Sequence, residues 1–185
     1  KCILRLLETE NSDGVIGVVR TKRATLDLAG ELEHRGYKAA ALNGDIAQNQ
    51  REKKVDSLKD GRLDIVVATD VAARGLDVSR ITHVINVDMP YDPESYVHRI
   101  GRTGRAGRDG RAILLVTSRE QRMLKGVEKV IGQSIPKGTL PNARAVLEAR
   151  VRRFTELVAT AMTGITYENK DCSSYTSYAA DKQDN

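Results

Sequence analysis

The stretch His98-Arg99-Ile100-Gly101-Arg102-Thr103-Gly104-Arg105-Ala106-Gly107-Arg108 decides how this chain is read. Glycines recur at 101, 104, 107 and 110, so the backbone can approach another surface closely. Between them stand arginines, whose planar, permanently charged forks match phosphate oxygens bidentately. The spacing is not that of a dinucleotide-binding loop, because glycine falls at every third residue and no helix follows. Proline is absent, which excludes a collagen-like repeat. A generic Arg/Gly nucleic-acid tract is the bland alternative. It is weakened by the flanks, since a helical pattern opening at Asp92-Pro93 precedes the stretch and a short apolar run follows it.

Outward from this segment, short apolar runs alternate with amphipathic ones. The runs cover 15–19, 39–42, 63–68, 83–87 and 112–116; the helical patterns cover 24–35, 47–59 and 93–100. Several runs are apolar on both faces, as in parallel strands covered on both sides. The pattern therefore predicts a doubly wound α/β domain of βαβ units. Gly36 fits a helix C-terminus, Asp92-Pro93 an N-cap followed by proline at N1, and Asp45 a cap for the next helix. Tyr91 and Tyr96 are expected to pack rather than to stack on bases. In such sheets ligands collect beyond the carboxyl ends of the strands, so the loops 43–45, 69–70 and 86–91 are the first places to seek chemistry. After Thr117 the pattern is helical over 119–131 and 143–162. Residues 169–185 are rich in Ser, Tyr and Asp and read as a loose tail or a segment ordered only by a partner.

Composition agrees with a globular α/β chain. The 185 residues carry 30 Lys and Arg against 25 Asp and Glu, a formal charge of +5. The excess is modest, but Arg99, Arg102, Arg105, Arg108 and Arg111 lie within thirteen residues, a footprint of phosphate recognition or else a solvated basic face. Cys2 and Cys172 support neither a disulfide framework nor a zinc site, and no metal site is expected. No apolar run reaches membrane-spanning length, so no membrane partner is expected and a cytoplasmic location is the default. The chain opens at Lys1 inside an amphipathic pattern (Ile3, Leu4, Leu6, Leu7), without Met, and reads as a fragment.

The segment 98–105 resembles motif VI of the DEAD-box RNA helicases, and companion motifs stand in family order. Ala68-Thr69-Asp70-Val71-Ala72-Ala73-Arg74-Gly75-Leu76-Asp77 resembles motif V. Gln48-Asn49-Gln50-Arg51, just after Asn43-Gly44-Asp45, resembles the Q-x-x-R motif, and Arg20-Thr21-Lys22 fits motif IV. The resemblance implies a C-terminal RecA-like domain over residues 1–133, a helical extension over 134–168 and a polar tail over 169–185.

It also implies roles. Arg102 and Arg105 would be arginine fingers toward the γ-phosphate of ATP, whose Mg2+ is held by an N-terminal RecA-like domain. Asp77, with Gly75 beside it, would meet the ribose, and His98 would bridge to that second domain. Arg20, Thr21, Lys22, Gly44, Gln48, Arg51, Thr69 and Arg74 would line an RNA backbone without reading bases. Asp77, Thr69 and Arg51 have blander readings as caps or a solvated charge, and Arg108 and Arg111 read as surface or structural.

No phosphate-cradling G-x-x-x-x-G-K-[ST] loop and no Asp-Glu-Ala-Asp stretch occurs in the chain, so hydrolysis by it alone is not expected. Within the family the chain is most similar to the bacterial cold-shock type, which implies roles in cold adaptation, ribosome assembly or RNA decay. In that type the helices after the core support dimerisation. The apolar positions of 143–162 suit either a homodimer or packing on the chain's own domain. Two rival readings are weaker. A DNA helicase would open motif VI with glutamine, and a non-catalytic RNA-binding scaffold would not need both Arg102 and Arg105. One departure stands out: the motif IV strand commonly carries Phe where Gly17 stands, a loss of roughly 3–5 kcal/mol if no neighbour fills the space.

Overall fold

The computed structural model describes residues 2–105 and 107–163. They form two units, Lys1–Asn142 and a second beginning at Ala143. The tail reading of 169–185 lies outside the described residues.

In the first unit, helix α1 (Cys2–Thr9) leads into β1 (Gly14–Val19), α2 (Lys22–His34), β2 (Ala39–Leu42), α3 (Gln48–Lys59) and β3 (Ile65–Thr69). There follow α4 (Asp70–Ala73), β4 (Ile81–Asn86), α5 (Pro93–Ile100), β5 (Arg111–Leu114), a 3₁₀ turn (Ser118–Glu120) and α6 (Gln121–Ile131). The sheet order is β2-β3-β1-β4-β5 and every pairing is parallel. This is the doubly wound α/β arrangement expected from the apolar runs.

Central strand β1 is buried at every position, which is why it reads as a continuous apolar run. Its side chains divide between two cores. Ile16 and Val18 pack with Leu42, Leu58, Val66 and Val84 beneath α3 and α4. Val15 and Val19 pack with Val67, Ile85, Ala29 and Leu32 against α1 and α2. A third cluster of Met89, Tyr96 and Val127 joins α5 to α6. At Gly17 a built Cβ would meet Val67 methyls at 3.8 and 4.0 Å, ordinary contact, so there is room for a methyl.

Local chemistry fixes the ends. Gly36 takes φ +86 just past α2, a conformation that favours glycine. The Asp92 carboxylate accepts from Ser95 N–H at 2.7 Å and Pro93 opens α5. Two local expectations fail. Asp45 does not cap α3, whose N-cap is Ala47 without a side-chain bond; Asp45 instead pairs with Lys22 across the loops after β1 and β2. Tyr96 packs as expected, but Tyr91 is 72% exposed. Pro90 and the turn into α5 carry it away from the core.

In the second unit α7 (Ala143–Thr163) is a single helix of 21 residues. Leu147, Val151, Phe154, Leu157 and Met162 on it are exposed.

Candidate nucleotide and nucleic-acid surfaces

The residues singled out in the sequence fall into two groups at different ends of the sheet. One group lies where the carboxyl ends of β1, β2 and β3 meet their following helices, as open parallel sheets lead one to expect. The other does not. Helix α5 starts after the carboxyl end of β4 and carries the chain back toward the strand's beginning, where the Thr103 hydroxyl donates to Ile81 carbonyl at 2.7 Å. Arg102 and Arg105 are therefore set beside the first residue of β4, not at the sheet's carboxyl edge.

The second group is compact. Arg105 Nη1 donates to Asp77 Oδ1 at 2.6 Å, and its Nε donates to Gly101 carbonyl at 2.8 Å. Arg102 donates from Nη1 to Leu76 carbonyl at 3.2 Å and from Nε to His98 carbonyl at 3.3 Å. Burial pulls the Arg102 guanidinium down from its ordinary value and neighbouring Arg105 adds to this, with Asp77 opposing. Arg102 thus remains charged but short of counter-charge, a setting that favours an incoming anion. Asp77 itself is exposed and offers a carboxylate to a hydroxyl donor. Gly75, two residues before it, takes φ +75, which lets the chain turn from α4 to Asp77 without strain. Gly110 is required by closeness: a Cβ there would lie 2.3 Å from Gly104 N.

The first group is a set of loops tied to one another. Thr21 caps α2 through Ala24 N–H at 3.1 Å, and Asn43 Nδ2 donates to Thr25 Oγ1 at 2.9 Å, locking the β2 loop onto α2. Lys22 pairs with Asp45, and Gly44 lies against the Lys22 stem. Gln48 donates to Glu52 at 2.8 Å on the exposed side of α3. Arg51 is not a solvated charge: Nη2 donates to the carbonyls of Ala72 and Arg74 at 2.9 and 3.1 Å, clamping the end of α4. Thr69 caps α4 by accepting from Ala72 N–H at 3.4 Å. Arg20 donates to Met89 carbonyl at 3.1 Å, with its guanidinium 4.9 Å from the Tyr91 ring centre. Arg74 is exposed. Arg108 reaches Ser79 carbonyl at 3.4 Å, and Arg111 pairs with Glu10 at 2.5 Å, so both act within the domain.

Between the groups lies a shallow depression lined by Asp70, Ala73, Arg74, Ser95, His98 and Arg99, with His98 exposed. Sequence reasoning gave Arg99 no role of its own. It is 2% exposed, and its guanidinium grips the Asp70 carboxylate at 2.5 and 2.7 Å while donating to Asp88 carbonyl at 2.7 Å. It joins α5 to α4 and so holds the motif V and motif VI segments in register. The only sequence signal for this pair was that both residues lie inside the matched motifs.

This sheet and its arginine loop are those of a helicase C-terminal lobe, and residues 1–107 match the family described as the helicase conserved C-terminal domain. The ATP-dependent RNA helicase DeaD of Klebsiella pneumoniae is 54% identical over 158 residues, covering 85% of this chain and 25% of that protein. The Mycobacterium tuberculosis DeaD is 51% identical over 162 residues, 88% of this chain and 29% of that protein. Among solved structures, E. coli DEAD-box protein SrmB bound to regulator of ribonuclease activity A superposes with TM-score 0.67 at 37% identity, covering 76% of this chain and 88% of that one. S. cerevisiae Dbp5 bound to RNA and ADP BeF3 gives TM-score 0.69 at 29% identity, covering 83% and 41%. The chain belongs to the DEAD-box RNA helicases, as their C-terminal RecA-like domain. It spans about a quarter of the length of the curated relatives it matches.

Proposed function

We propose that this chain is the closing half of an ATP-dependent RNA helicase, with residues 1–133 as the lobe, 134–168 as a helical extension and 169–185 as a tail. Arg102 and Arg105 meet the terminal phosphate of ATP held, with its Mg2+, by an N-terminal lobe. Asp77 accepts from the ribose, and His98 contacts that lobe across the depression beside Arg74. Arg20, Thr21, Lys22, Gly44, Gln48, Arg51, Thr69 and Arg74 form half of a groove for RNA phosphate and sugar. One observation carries this reading: Arg105 and Asp77 touch at 2.6 Å with the partly desolvated Arg102 alongside, so finger and ribose acceptor share one wall.

The chemistry follows from charge. In a loose phosphoryl-transfer transition state the fingers neutralise charge on the equatorial oxygens, an effect worth about three to five decades in related NTPases. The carboxylate that accepts from Arg105 is also the proposed ribose acceptor, so ribose and finger compete for Asp77. RNA and ATP both select the closed arrangement of the two lobes, and each therefore favours the other. Without the N-terminal lobe the chain hydrolyses nothing. The resemblance of the motifs to the cold-shock type points to cold adaptation, ribosome assembly or RNA decay in the cytoplasm as the setting.

The test is RNA-stimulated ATP turnover by the intact protein carrying Arg105→Ala. Turnover falls by about three decades or more while RNA affinity changes little; retained turnover would refute the finger role. We also propose that α7 supports self-association through Leu147, Val151, Phe154 and Met162. Light scattering at high concentration reads a dimer, and a strict monomer ends that proposal.

A further inference from the structure

The loops proposed to hold RNA come after β2, β3 and β1, and sheet order places β4 and then β5 next along the same edge. The segments beyond β4 and β5 lie outside that groove. After β4 comes Tyr91, 72% exposed. One face of its ring is backed by the Arg20 guanidinium at 4.9 Å, which Met89 carbonyl and the Asp88 bond to Arg20 N–H hold in place. The ring is fixed from behind and open in front. After β5 come the 3₁₀ turn, whose Glu120 carboxylate accepts from the Thr117 hydroxyl, and α6, whose Val127 packs with Met89, two residues before Tyr91. From there Arg119, Arg122 and Lys125 are exposed, the last two on the side of α6 away from buried Val127. Among the described residues none of the three has an ion-pair partner.

We infer that Tyr91 is a stacking platform for a base of single-stranded RNA, and that Arg119, Arg122 and Lys125 carry the phosphates of the strand beyond it. The inference rests on the RNA reading of the loops and extends the track past them. An aromatic face beside a row of cations is the arrangement that binds single strands without regard to sequence. Arginine behind the ring makes it a firmer platform through cation–π attraction. The nearby carboxylates are already engaged: Asp92 with Ser95, Asp88 with Arg20 N–H, and Glu120 with Thr117.

The experiment measures binding of labelled oligoadenylate to the intact helicase with a non-hydrolysable ATP analogue, using strands of about six and about twelve nucleotides, since a single module covers only part of the longer one. Tyr91→Ala lowers affinity for the longer strand roughly five- to hundred-fold and leaves the shorter unchanged, whereas Tyr91→Phe binds as wild type. Replacing Arg119, Arg122 and Lys125 together by alanine reduces the salt slope for the longer strand by about 2, near 0.7 per lost phosphate contact. Tyr91 is exposed, so folding is not at stake, and unchanged urea midpoints check this. Equal losses at both lengths, or none with Tyr91→Ala, overturn the inference. A Lys22→Ala control separates the two levels. If it weakens both strands while Tyr91→Ala weakens neither, the RNA reading stands and only the extension falls.

Discussion

Arg99 is the side chain on which the candidate site's geometry turns. A guanidinium with 2% exposure is tolerable because the Asp70 carboxylate, the Asp88 carbonyl and the Asn86 side-chain oxygen satisfy it. Arg99→Ala leaves Asp70 without its partner beneath the depression, and it should cost about 3–5 kcal/mol. Urea unfolding reads that loss, and a cost below about 1 kcal/mol would show the pair to be incidental. Gly17 points the other way. Its missing methyl has room against Val67, and glycine in a strand gives away roughly 0.5–1 kcal/mol relative to alanine. Gly17→Ala should raise the urea midpoint at unchanged slope; a lowered midpoint would mean that the strand needs glycine for a reason the packing does not reveal.

Among the elements, the ends of the strands are held by a few polar hubs. Arg80, just before β4, donates to Asp13 at 2.7 Å, to Asp64 at 2.8 Å, and to Leu63 carbonyl at 2.7 Å. It thereby binds the starts of β1, β3 and β4 together, and the hydrogen bond it donates to Asp64 foremost raises it above its ordinary value against the pull of burial. Arg80→Ala should destabilise by about 3 kcal/mol, more than any exposed ion pair of the helices, such as Arg23 with Asp27. Thermal denaturation of Arg80→Ala and Arg23→Ala compares them directly. Elements were largely legible in the sequence. The five apolar runs became five strands, and 93–100 became α5 without change, because buried parallel strands and capped helices leave local signatures. Asp45 and Tyr91 were misread because their surroundings come from other loops. Asp45 finds Lys22, 23 residues away, and Tyr91 is stacked by Arg20.

Over the whole molecule, one source of acid sensitivity lies at the amino end of the sheet. His83 on β4 is buried; Thr82 Oγ1 lies 2.9 Å from its Nδ1, and Glu10 and Arg111 stand beside it. Burial lowers its pKa from the ordinary value, only partly countered by Glu10. The unfolded chain therefore binds the His83 proton more tightly than the folded one. The stability this contributes is complete above about pH 6.5 and is lost as pH falls toward the lower folded value. Urea midpoints should drop between pH 7.5 and about 5.5, and His83→Gln should flatten that drop. A midpoint equally steep in the variant would place the sensitivity elsewhere.

By itself the sequence determined the α/β class, the strand and helix segments, and the identity of the motif residues, since periodicity, caps and short motifs are written in neighbouring positions. Only tertiary structure decided which of those residues meet. It put Arg105 on Asp77 across 28 positions and Arg99 on Asp70 across 29, and it set the arginine loop beside the beginning of β4 rather than at the sheet's carboxyl edge. The reason is that a charged side chain is settled by whichever partners folding brings within 3 Å, and chain order does not record those partners.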